Sequence, residues 1–245
     1  MTSLARRLLN RLTGASRRGM LEVSGEDRAL VQQVVESNLT YLTPQRLHYL
    51  ASLCRRLGQA RVEGVFLEAG CALGGSTVLL SRLKPPGAAL RVYDVFATIP
   101  APTPEDGPDV HARYAAILRG ESRGINGDAY YGYEKNLLDI VRRNLTRFHV
   151  EPQRDRVELI QGLVQDTLRV DEPVAFAHVD VDWYEPVKTC LERIVPRLSR
   201  GGALVLDDYN DWSGCRKATH EYFSRPSPSY RMDNRHGVMT ITRTA

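Results

Sequence analysis

The sequence predicts an α/β protein built on a doubly wound, mostly parallel sheet of seven strands with helices on both faces. Three observations predict it. From Val65 onward, short apolar runs alternate with helical segments. A glycine-rich turn, Gly70 to Ser76, joins the first of these runs to a helix. Later, one apolar run breaks into Asp180 and Asp182 and another into Asp207 and Asp208, as buried strands do at a sheet edge.

The elements follow in order. Ser24 caps a helix over 27–36, and Thr43 with Pro44 opens a second over 44–57, so two helices precede the sheet. Strands over 65–69 and 90–94 flank a helix over 76–83. A helix near 133–147, a strand over 157–161, a short helix near 164–168 and a strand over 174–180 come next. A helix over 184–198, a strand over 203–206, a helix near 215–223 and extended segments over 229–232 and 237–242 complete the pattern. Only the interval 96–132 breaks the rhythm, with Pro100, Pro102, Pro104 and Pro108 and the aromatic cluster Tyr130, Tyr131 and Tyr133. An irregular insertion leaving the carboxyl end of a strand reads as a lid over that edge.

Composition bounds the remaining possibilities. The chain has 245 residues, 42% hydrophobic and 25% charged, enough for one domain over 24–245 with a single core. Residues 1–23 form a basic arm: its first twenty residues hold Arg6, Arg7, Arg11, Arg17 and Arg18 with no acid, and 28 basic against 29 acidic residues remain in the rest of the chain. A near-neutral body argues against a nucleic-acid surface. Leu4, Leu8, Leu9 and Leu12 among those arginines suit either a short amphipathic helix that touches membrane, RNA or a partner subunit, or a frayed or subunit-docking terminus. No run reaches the length of a membrane span and no secretory leader is legible, so the expected location is cytoplasmic. Cys54, Cys71, Cys190 and Cys215 lack metal or disulfide spacing and read as buried thiols.

The chemistry is written at the strand tips. Glu68-x-Gly70-x-x-x-Gly74 is not a dinucleotide fingerprint, because Ala72 stands where the second glycine belongs. An acid beside a turn of backbone N–H groups suits a ligand carrying both a cationic centre and a carboxylate, and S-adenosylmethionine is such a ligand. Glu68, Gly70, Gly74 and Ser76 are therefore candidate cofactor residues. Asp94, 24 residues after Gly70, is positioned to accept ribose hydroxyls, and Gln165 with Asp166 lies where an adenine pocket would be. If the strands ending at Asp180 and Asp207 are parallel neighbours, four carboxylates converge, and their repulsion calls for a cation. Asp182 shares strand parity with Asp180, which makes it a candidate base, or else it caps the next helix. His178 has the same parity and reads as a core histidine or a second base.

With these pieces placed, Glu68 to Ser76, Asp94-Val95-Phe96, Gln165 to Leu168, Asp180-Val181-Asp182-Trp183-Tyr184-Glu185, Gly201-Gly202, Asp207-Asp208-Tyr209 and Gly214 to Ala218 resemble the macrocin O-methyltransferase family of Rossmann-like, S-adenosylmethionine-dependent methyltransferases. The resemblance runs from about Leu42 to about Phe223. It implies methyl transfer to a hydroxyl of a sugar unit on a natural product or saccharide, aided by magnesium or manganese. Carried onto matching positions, Asp180, Asp207 and Asp208 are the metal ligands, and Asp182 with Asp180 the catalytic pair. It also implies a homo-oligomer. Two other readings are a catechol-type O-methyltransferase and a non-catalytic binding protein of the same fold. The stretch Cys71-Ala72-Leu73 and the long 100–132 segment depart from the family pattern and leave the acceptor open.

Overall fold

A computed structural model describes residues 23–225 and 227–245; the basic arm and its leucines lie outside the described residues. Two helices come first, α1 (Gly25–Glu36) and α2 (Pro44–Gln59). Both begin as the sequence requires: the Ser24 side chain accepts from the Asp27 N–H at 3.0 Å and Thr43 from the Arg46 N–H at 3.3 Å, satisfying donors the first turn leaves open.

The sheet then forms from β1 (Val65–Ala69), β2 (Leu90–Asp94), β3 (Val157–Gln161), β4 (Val174–Val179), β5 (Leu198–Leu206), β6 (Tyr230–Arg235) and β7 (Val238–Arg243), in the spatial order β3-β2-β1-β4-β5-β7-β6. The first five pair in parallel, and β7 runs antiparallel between β5 and β6, so the sheet is mixed. Between the strands run α3 (Gly75–Leu83), α4 (Pro108–Leu118), α5 (Leu137–Arg147), the single turn α6 (Val164–Thr167), α7 (Tyr184–Ile194) and α8 (Ser213–Tyr222).

Alternation along each strand divides the interior into two cores. Phe66, Val92, Phe176 and Val205 pack with α1, α2, α3 and α5 on one face. Leu67, Ala69, Ala177, Val179, Leu204 and Leu206 pack with α7 and α8 on the other. Successive side chains of a strand point to opposite faces, so a sheet covered on both sides reads as a continuous apolar run. All four cysteines are buried and free.

The departures from expectation are local. The interval 96–132 is not wholly irregular: it contains α4, whose first turn carries Pro108 where a missing N–H costs nothing. The aromatic cluster forms a separate 3-10 turn at Tyr131–Tyr133, which delays α5 until Leu137. Strand β4 stops at Val179, one residue short of the expected end, and β5 begins at Leu198 and not at 203, running through Gly201 and Gly202.

Candidate active site

The site lies where the strand order reverses, between β1 and β4, the position at which open α/β sheets leave a crevice beyond their carboxyl ends. The parallel register pairs Ala69 with Val179 and Val179 with Leu206. That register sets Gly70, Asp180 and Asp207 side by side just past three adjacent strand tips. The Asp180 N–H donates to the Ala69 carbonyl at 2.8 Å and the Asp207 N–H to the Val179 carbonyl at 3.0 Å, so backbone ladders, not side-chain contacts, aim the acids.

One carboxylate oxygen each from Asp180, Asp207 and Asp208 falls within 4.8 Å of the others. Burial raises the Asp180 carboxyl well above the usual range and the neighbouring Asp207 charge adds to it, with His178 opposing. Asp208 is raised likewise, by burial and then by Asp182 and Asp180. The Oδ1 of Asp207 is buried without a hydrogen-bond partner. Its Oδ2 accepts from Arg46 at 2.6 Å, and the same guanidinium reaches Asp211 at 2.7 Å. Crowded buried carboxylates with an unpartnered oxygen and an all-oxygen donor set fit a hard divalent cation such as magnesium or manganese.

Asp182 reaches this cluster by a route the parity argument did not foresee. Strand β4 has ended, and Asp182 sits in the left-handed region at φ 56°, its N–H donating to Asp208 Oδ2 at 2.9 Å. Burial pushes its carboxyl up to about 6, against the pull of Trp212, Asp208 and Arg113. It does not cap α7. That role falls to Asp106 of the lid, whose Oδ1 accepts from the Tyr184 N–H at 2.7 Å.

Two compartments meet over these residues and share Gly70, Asp94, Asp180 and Asp182. One, of about 700 Å³, runs toward Gly162 and Gln165. The other, of about 950 Å³, runs between the acidic floor and the lid residues Arg113, Tyr130 and Tyr131. Asp94 accepts the N–H groups of Cys71 and Phe96, each at 2.7 Å, which fixes it beside the glycine turn and leaves each oxygen a further lone pair. The Oε1 of Gln165 is buried without a partner beside the first compartment.

Other candidate residues do not reach either compartment. Glu68, read as an acid facing the ligand, is fully buried on the opposite side, bonded to Thr77 Oγ1 and facing His178 Nδ1 at 3.3 Å. The even parity of Glu68 and His178, paired in register, turns both into the core beside α3. Gly74 is the left-handed cap of α3, Ser76 is buried in that helix's first turn, and Asp166 is exposed on α6. His178 is a core residue whose Nε2 has no partner and stands 3.9 Å from Asp207 Oδ1. Burial opposes its charge, yet the Asp207 and Glu68 carboxylates raise it to about 10.

Arg46, Asp106, Asp211 and Arg113 were not singled out from the sequence. A lone arginine in α2 carries no local sign that it meets a strand tip 161 positions away. Asp106 carried a weak sign, an acid between prolines just before a helix.

A glycine turn and an acidic edge at the switch point of this sheet fit the class the family match assigns, a Rossmann-like methyltransferase. Among solved structures, that of the O-methyltransferase NovP superposes with a TM-score of 0.69 at 21% identity, covering 84% of this chain and 83% of that one. A calicheamicin methyltransferase superposes at 0.56 with 17% identity, covering 92% and 95%. Residues 5–233 match the macrocin-O-methyltransferase (TylF) family, and the chain belongs to it. It is 32% identical over 170 residues to the 8-demethyl-8-(2,3-dimethoxy-alpha-L-rhamnosyl)-tetracenomycin-C 4'-O-methyltransferase of Streptomyces olivaceus, covering 67% of this chain and 59% of that enzyme. It is 28% identical over 213 residues to the mycinamicin III 3''-O-methyltransferase of Micromonospora griseorubida, covering 82% and 74%. The matched stretch thus spans under two thirds of the first of these relatives. No helix among the described residues is long and apolar enough to cross a membrane.

Proposed function

We propose that this chain transfers a methyl group from S-adenosylmethionine to a hydroxyl of a sugar unit on a natural product or saccharide, with magnesium or manganese held by Asp180, Asp207 and Asp208. The observation that carries this reading is the convergence of those three carboxylates within 4.8 Å, in a cleft they share with Gly70 and Asp94. Family membership and two relatives named as O-methyltransferases, one of them of a rhamnosyl compound, support it.

The donor belongs in the compartment toward Gln165. There the turn at Gly70 lets backbone approach closely, Asp94 offers lone pairs to ribose hydroxyls, and the unpartnered Gln165 Oε1 is suited to an adenine amino group. A bound divalent cation would supply Lewis acidity that lowers the pKa of the acceptor hydroxyl. Asp182 takes the hydroxyl proton, since a carboxyl titrating near 6 is ionised at neutral pH yet basic enough to share a proton. Asp208 steadies the turn that carries Asp182. Trp183 and Tyr131 line both compartments and exclude water from the path between them.

The test is a mass shift of one methyl group on glycosides offered with S-adenosylmethionine and magnesium. The expected result is transfer by the wild type, lost with chelator and lost in Asp180→Asn. Transfer that survives both would overturn the role given to the cation, and donor binding with no transfer to any glycoside would overturn the activity.

A further inference from the structure

Resting on that reading of the site, we propose that the acceptor carries an anionic group, a carboxylate or a phosphate, and that Arg113 of the lid helix binds it.

Two arginines line the lid-side compartment, and they are in different states. Arg46 is spent on the floor, bound to Asp207 and Asp211 together. Arg113 forms an ion pair with no described carboxylate. Its Nη1 donates to Ser122 Oγ at 3.0 Å, and its guanidinium lies 5.5 Å from the centre of the Tyr130 ring. These two contacts hold the guanidinium beside Tyr130. They use one of its five N–H donors, and its charge acts on Asp182 without forming an ion pair. The side chain is half-buried on the wall facing the acids, where water alone solvates it less well than at an open surface.

The acids of the floor do not draw Arg113 into an ion pair: Arg46 bridges Asp207 and Asp211, and Asp182 feels the Arg113 charge only from beyond ion-pair distance. A guanidinium outside any ion pair, with N–H donors to spare, is the group that takes a carboxylate or phosphate through two parallel hydrogen bonds. Tyr131 beside it, half-buried and lining both compartments, is the ring left to meet a sugar, since Tyr130 is buried against Arg113 and Tyr133, so the anion belongs on or next to the glycosyl unit and not on a distant part of the acceptor.

The test measures binding to protein loaded with S-adenosylhomocysteine and magnesium. Matched ligands are titrated by calorimetry: methyl hexosides and 6-deoxyhexosides, the corresponding methyl uronosides, and the corresponding sugar 1-phosphates. In the wild type at least one anionic series binds tenfold or more tightly than its neutral counterpart. That preference disappears in Arg113→Gln and is partly kept in Arg113→Lys, with S-adenosylhomocysteine affinity unchanged in both. A stronger uronoside series assigns a carboxylate, and a stronger phosphate series assigns a sugar phosphate or its ester. Equal binding of neutral and anionic ligands, binding of none, or a preference that survives Arg113→Gln overturns the inference. Methyl transfer is scored separately: anion-selective binding without transfer would keep Arg113's role and sink the activity.

Discussion

At Gly70 the chain has no room for a side chain. Its φ is +82°, and a Cβ there would stand 1.8 Å from the Asp180 carbonyl oxygen, so the glycine turn and the segment that carries Asp180 are packed backbone against backbone. Gly70→Ala therefore pushes the two halves of the site apart. We expect a loss of roughly 3 kcal/mol or more from strain and overpacking together, read as a lower urea midpoint; an unchanged midpoint would contradict the packing described. As the proposed base, Asp182 is expected to act on the chemistry and not on the fold. Asp182→Asn is expected to lower kcat by about 10² to 10⁴, the usual worth of a positioned base, while divalent affinity holds. The wild-type rate should rise with pH as that carboxyl ionises, its midpoint at or below about 6 because a nearby cation favours the charged form. A limb that persists unaltered in the asparagine variant would assign it to another group.

Among the elements, the lid is tied to the helices that follow the acidic tips. Asp106 caps α7 across the chain and its other oxygen accepts from the Thr103 N–H at 2.9 Å, while Asp109 bonds the Ser213 N–H at the start of α8 at 2.9 Å. Trp183 donates its indole N–H to the Pro100 carbonyl at 2.9 Å. The insertion thus completes two helix termini that have no cap of their own, and the loops bearing Asp182 and Asp208 inherit its position. Asp106→Ala should cost about 1–2 kcal/mol, the worth of a cap with a buried partner left open, and should weaken divalent binding along with stability. Stability lost with divalent affinity untouched would show the lid to be only a brace. These ties explain what the sequence could and could not disclose. Strand tips, the glycine turn and local caps such as Ser24 and Thr43 are written within a few residues of where they act. Asp106 and Arg46 act on elements 78 and 161 positions away, and nothing local marks such partners. Asp182 was legible as a candidate, and the structure brings it to the acidic cluster by a turn and not by parity, because the strand ended before it. Glu68 lies in the core against Thr77 and His178, and its position at a strand tip said nothing of which face it would take.

For the whole molecule, the acidic edge makes stability depend on pH and on cation together. Asp180, Asp182 and Asp208 have folded-state pKa values above their ordinary range, so the stability they contribute is present at low pH and is lost as pH rises from about 4 through 6 and beyond. His178, raised to about 10, contributes in the same sense, its share lost as pH climbs from the usual histidine range toward that value. A cation binding only the ionised cluster reverses this by mass action. Magnesium should accordingly raise the melting temperature more at pH 8 than at pH 5; an equal or opposite effect would mean the carboxylates do not share an ion. The most direct test of the central claim is a manganese titration followed by electron paramagnetic resonance. One ion per chain is predicted for the wild type, with affinity reduced at least tenfold in Asp180→Asn and in Asp208→Asn but not in Glu68→Gln. Binding that is absent from the wild type, or indifferent to both aspartates, would contradict it.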